Sequence, residues 1–83
     1  MYTARILRRA QKELAALPDE TLERLADAIR GLGQDPRPAG CRKLSGRGGW
    51  RIRAGDYRVI FEIDDSSQTV TVMHVGHRRS VCR

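Results

Sequence analysis

The sequence predicts an α+β fold of order β-α-α-β-β-β, with a helical hairpin packed on one face of a mostly antiparallel sheet. Three observations predict it. Leucine and alanine recur at helical spacing in two separate runs within the first 34 residues. From Trp50 to Ala54 apolar residues alternate with arginines in steps of two. Gly55 and Asp56 then stand where a two-residue hairpin loop would need them.

Residues 2–7 (YTARIL) are β-compatible and free of turn signals, so they read as a short first strand. Leu7, Ala10, Leu14 and Leu17 predict a short amphipathic helix over residues 8–17. Pro18 and Asp19 stop it, and Asp19 is placed to cap the next helix. Residues 21–32 repeat the pattern with Leu22, Leu25, Ala26, Ile29 and Leu32 on one stripe. Gly31, Gly33, Asp35 and Pro36 are expected to end that helix. Residues 34–49 read as loop, rich in proline and glycine and dotted with Arg37, Arg42, Lys43 and Arg47. Its GRGG run lacks the spacing of a phosphate-binding loop and opens no helix.

With the turn at Gly55 and Asp56 the register of the next two strands follows. Ala54 faces Tyr57, Arg53 faces Arg58, Ile52 faces Val59, Arg51 faces Ile60, and Trp50 faces Phe61. One face becomes Trp50, Ile52, Ala54, Tyr57, Val59 and Phe61, an apolar layer for the core. The other gathers Arg51, Arg53 and Arg58, with Glu62 on the same side. A turn of Asp64, Asp65, Ser66 and Ser67 leads to a last strand over residues 68–75. That turn would set Ile63 opposite Gln68 and Phe61 opposite Val70. Val70, Val72 and His74 then join the apolar face. Thr69, Thr71, Met73 and Val75 join the arginine face, and counting on in twos brings His77 there as well.

Eighty-three residues make one small domain, residues 1–83, with a modest core. No apolar run is long enough to span a bilayer, and Arg5, Arg8 and Arg9 break any secretory leader, so a cytoplasmic protein is expected. Cys41 and Cys82 form no CxxC pair and supply too few ligands for a zinc site, so two free thiols and no metal are expected. The formal net charge is +6. Residues 1–36 balance six bases against six acids, whereas residues 37–58 set seven bases against Asp56 alone. Like charges opposite each other in a sheet cost about 0.2–1 kcal/mol per pair. Accepting that cost where Arg53 faces Arg58 beside Arg51 points to an anion, and the concentration of the excess points to a polyanion.

These residues resemble the RelE/ParE superfamily of bacterial toxin–antitoxin proteins. The matching pieces are the helical hairpin, DPRPAGCRKLSG running into WRIRAGDYRVIFEID, and the closing VGHRRSV. The resemblance implies the toxin of a type II toxin–antitoxin system. Its RelE-like branch is ribosome-dependent endoribonucleases that cut mRNA in the decoding A site. Its ParE-like branch poisons DNA gyrase, and an attenuated member would only bind its antitoxin. The partners implied are an acidic cognate antitoxin, forming a hetero-oligomer, together with mRNA and the ribosome. The resemblance carries catalytic roles to Arg51, Arg53, Arg58, His77 and Arg78. RelE-like toxins often place a proton-transferring tyrosine near the C-terminus. Here Cys82 stands nearest that position, and no tyrosine follows Tyr57.

Metal-independent RNA cleavage needs the 2′-hydroxyl deprotonated, the phosphorane charge stabilised and the 5′ oxygen protonated. Guanidinium groups supply the second need, since they grip phosphate bidentately and stay charged. They are poor proton carriers. His77 is the first candidate for that role, because imidazole changes charge in the neutral range. Cys82 is the second, with Arg79 and Arg83 nearby to favour its thiolate. Arg42, Lys43, Arg47, Arg79 and Arg83 extend the expected RNA contact. No cofactor is implied.

Overall fold

In a computed structural model the described residues, 1–44 and 49–77, form two helices and a five-stranded sheet. The elements are β1 (Thr3–Ile6), α1 (Arg8–Ala15), α2 (Asp19–Gln34), β2 (Arg42–Lys43), β3 (Trp50–Ala54), β4 (Tyr57–Asp64) and β5 (Thr69–His77). Their order across the sheet is β1-β5-β4-β3-β2. Only β1 with β5 is parallel; the other three pairings are antiparallel. No helix among the described residues is long and apolar enough to cross a membrane.

The helices form where the apolar stripes predict them, with different ends. In α1 Ala10 and Leu14 are buried. In α2 Leu25, Ile29, Leu32 and Gly33 are buried. Asp19 is the first helical residue of α2, not its cap. With Glu20 it puts negative charge at the positive end of the helix dipole. The helix also runs past Gly31 and Gly33 to Gln34. At Gly33 the lack of a side chain has a use, because a Cβ there would lie 3.0 Å from the Tyr2 carbonyl. The Tyr2 N–H donates to the Gly33 carbonyl at 2.6 Å, tying the start of the chain to the end of α2.

Both helices cover one face of the sheet. Ala10, Leu14, Leu25, Ile29 and Leu32 meet Ile52, Val59, Phe61, Val70, Val72 and Val75 there. Phe61 is fully buried at the centre. Trp50, Ala54 and Tyr57 pack against the margin of this core.

The β3–β4 hairpin has the register read from the sequence, from Trp50 opposite Phe61 to Ala54 opposite Tyr57. Gly55 takes φ +63° as the first loop residue, the position where a type II′ turn needs glycine. Three expectations fail around it. Residues 42–43 are not loop but a two-residue edge strand, with Arg42 opposite Arg51 and Lys43 opposite Trp50. The turn before β5 is displaced, so Asp64 pairs with Thr69, Ile63 with Val70 and Phe61 with Val72. A register shift then falls between Ile60 and Phe61, leaving Met73 as an extra residue while His74 stands opposite Ile60.

That bulge reverses the parity of the end of β5. Val75, expected on the arginine face, pairs with Val59 and is buried in the core at 2% exposure. His74, expected in the apolar layer, moves to the row of Ile60. His77, expected beside the arginines, pairs with Tyr57 on the helix side, their rings edge to face at 5.7 Å.

Candidate nucleic-acid interface

The candidate site is the face away from the helices. Two successive rows of the sheet bring its cations together. In one, Arg42 of β2 faces Arg51 of β3, which faces Ile60 of β4, which faces His74 of β5. In the next, Arg53 faces Arg58, which faces Gly76. Gly76 has no side chain to compete for the space beside Arg58, and Arg58 is only 8% exposed. Arg51 is half-buried, whereas Arg53 and Arg42 are exposed. A cleft of about 270 Å³ opens among Gly40, Arg42, Arg51 and Arg53. Arg53 also borders a second, more apolar cleft of about 340 Å³ shared with Ala28, Gly31, Pro38, Ala39, Gly40 and Ile52.

Of the residues singled out in the sequence, Arg42, Arg51, Arg53 and Arg58 therefore share a face. Lys43 stands on the opposite face from Arg42, and His77 on the opposite face from Arg58. Arg47, Arg78, Arg79, Cys82 and Arg83 lie outside the described residues. Cys41 is a free thiol, and burial pushes its pKa up, toward the protonated form. Glu62 is exposed and faces Thr71, two residues from Ile60 along β4.

At the edge of this face His74 meets α1. Its Nδ1 lies 2.9 Å from Oε2 and 3.1 Å from Oε1 of Glu13. The Val75 N–H donates to Glu13 Oε1 at 2.8 Å. β1 has ended by this point, its last register pair being Ile6 with Val72, so the carboxylate takes an edge N–H that β1 does not reach. The sequence reading missed this pair. The bulge leaves one faint trace in the sequence, the break in two-residue parity from Val70 and Val72 to Val75.

A second charged group lies at the other end of β4. The Tyr2 hydroxyl donates to Asp65 Oδ1 at 2.5 Å, and Arg37 reaches both Asp65 oxygens at 3.3 and 3.0 Å. The Arg37 guanidinium also lies 5.1 Å from the centre of the Trp50 ring. The hydrogen bonds from Arg37 and then from Tyr2 hold the Asp65 carboxyl below its ordinary range. Asp64 is also held low, first by the Ser66 hydroxyl and then by Ser67.

The fold is that of a class of small α+β toxins, and sequence comparison agrees. The family described as ParE toxin of the type II toxin–antitoxin system parDE matches residues 4–81, and this chain belongs to it, within the RelE/ParE superfamily of type II toxins. Among individual relatives, Toxin RelG of Mycobacterium tuberculosis is 33% identical over 86 residues, covering 99% of this chain and 97% of that protein. The crystal structure of the M. tuberculosis toxin–antitoxin complex RelBE2 is similar with a TM-score of 0.83 and 30% identity, over 93% of this chain and 98% of that one. The archaeal RelE–RelB complex from Pyrococcus horikoshii gives 0.84 at 27% identity, over 96% and 98%.

Proposed function

We propose that residues 1–83 act as one toxin domain that cleaves mRNA on the ribosome, in the cytoplasm, without metal or cofactor. The observation that carries this reading is arginine facing arginine across two adjoining strand pairs, three of the four, Arg42, Arg51 and Arg53, lining one open cleft and Arg58 buried beside them. Such an array suits a dianionic phosphorane, because fixed guanidinium groups need no reorganisation as charge develops. Arg51 and Arg53 hold the scissile phosphate, backed by the buried charge of Arg58, and Arg42 guides the neighbouring one. Arg78 keeps the catalytic role the resemblance carries to it, and Arg47, Arg79 and Arg83 keep the RNA-contact roles the sequence suggests for them. Cleavage is transesterification: the 2′-oxygen attacks phosphorus, the P–O5′ bond breaks, and a 2′,3′-cyclic phosphate and a 5′-hydroxyl result.

The protein is inhibited by a cognate acidic antitoxin that covers the basic face. The RelBE2 and P. horikoshii relatives are toxin–antitoxin complexes, which supports a hetero-oligomer here. Complementary charge would speed that association at low salt.

The test is inducible expression of wild type and the Arg51→Ala, Arg58→Ala double variant, with primer extension on a translated message. Wild type arrests growth and leaves cuts in the message; the double variant does neither while staying folded. Full toxicity of the double variant would reject the reading. The match to the ParE family favours one rival, a gyrase poison. In that case DNA replication stops before translation and no cuts appear.

A further inference from the structure

An arginine array stabilises a phosphorane but moves no proton, so the nuclease reading leaves its general base unassigned. The geometry points to His74, oriented by Glu13, as the group that takes the proton from the attacking 2′-hydroxyl. This inference rests on the nuclease reading.

The bulge after Val72 puts His74 in the row that continues through Ile60 to Arg51 and Arg42, and one row from Arg58. Diagonal neighbours on adjacent strands lie about 7–8 Å apart, a gap that a phosphate and its ribose can bridge. The ring is fixed from behind. Glu13 accepts the Nδ1–H, and Glu13 is itself held by the Val75 N–H. A carboxylate on Nδ1 sets the tautomer, leaving the Nε2 lone pair as the proton acceptor, and stabilises the imidazolium that forms. No described residue takes up Nε2. Among the described residues, the charged groups nearest the ring are Glu13 and Arg9 of α1, the latter 4.0 Å from Glu13, and, by register, Arg58 of β4 and Arg51 of β3 on the sheet side. Arg5 of β1 stands a row away beside Thr71.

In the step, Nε2 takes the 2′-hydroxyl proton as the O2′–P bond forms. The P–O5′ bond breaks with its electron pair on O5′, which takes a proton from water. The imidazolium then returns its proton to solvent, and no oxidant or reductant is needed.

The experiment is single-turnover cleavage of a ribosome-bound message from about pH 5 to 9, for wild type, His74→Gln and Glu13→Gln, with melting temperatures alongside. Wild type shows a rate that falls on the acid side. His74→Gln loses about 10²–10⁴ in rate, loses the acid limb and keeps its affinity for the programmed ribosome. Glu13→Gln keeps an acceptor for Nδ1 but not the charge, so its acid limb moves to lower pH. If His74→Gln is poorly folded, that limb shift in Glu13→Gln decides the matter alone. Wild-type rate and pH profile in a folded His74→Gln would overturn the proposal while the nuclease reading stands. A wild-type protein that cuts nothing would remove both.

Discussion

At the turn between β4 and β5 a cation faces an acid: Arg37 clasps Asp65, which also holds Tyr2. At the turn between β3 and β4 a cation faces a cation: Arg53 pairs with Arg58, and next to them Arg42 pairs with Arg51. The two regions lie at opposite ends of the same strand, β4. The first uses charge to fasten separate segments, since Tyr2 comes from the start of the chain, Arg37 from the loop after α2 and Asp65 from the turn. Its fields cancel locally. The second sets like charges opposite each other, at a cost of about 0.2–1 kcal/mol per pair. One fold thus uses some cations to hold the chain together and gathers others on one face of the sheet, and the register decides which is which.

The largest expected effect tests that division directly. Arg53→Ala should slow cleavage by about 10²-fold, the scale of losing one charge-stabilising donor. It should leave stability unchanged or raise it by up to about 1 kcal/mol, because Arg58 loses a like-charged neighbour. Arg37→Ala should do the reverse: a lower melting temperature, with cleavage near wild type. Cleavage assays and thermal melts on both variants decide. If Arg37→Ala slows cleavage as much as Arg53→Ala while remaining folded, the division fails.

A smaller effect probes the turn that creates the cationic pairs. Gly55 has φ +63°, and a Cβ there would come within 3.0 Å of the Arg24 guanidinium. The guanidinium is a flexible end and can move, so the backbone strain dominates. Gly55→Ala should lose about 1–2 kcal/mol of stability, read from urea melts with an unchanged slope. A neutral result would mean the hairpin is held by its strands rather than its turn.

Most of the fold was legible in the sequence, and the reason lies in its local signals. The stripes of α1 and α2 and the glycine at the β3–β4 turn act over a few residues, so register and helix faces followed from spacing. The β4–β5 register did not follow. The Asp64 carboxylate accepts from the Ser66 N–H and hydroxyl, which pulls Asp64 into the last strand pair and moves the loop one residue on. The bulge at Met73 then exchanged the two histidines. Its cause is tertiary: without the added residue Val75 would leave the core and its N–H would miss Glu13. The pairing of Arg42 with Arg51 was hidden for a different reason. A two-residue strand among prolines and glycines carries no periodicity to read.

The smallest effect separates the two regions by pH. Asp65 and Asp64 both have folded-state pKa values lowered by their hydrogen-bond donors, so the unfolded chain binds their protons more readily. Their stabilisation is fully present above the ordinary carboxylate range and is lost as pH falls through the lowered values. Melting temperature should therefore decline in acid, and Asp65→Asn should flatten part of that decline, leaving the part due to Asp64. The cleft lined by Gly40, Arg42, Arg51 and Arg53 contains no carboxylate to titrate. Arg53→Gln should accordingly leave the acid slope as it is in wild type. A slope changed equally by Asp65→Asn and Arg53→Gln would mean that the two ends of β4 share one electrostatic network, and that the arginine face is balanced from within the fold rather than by a ligand.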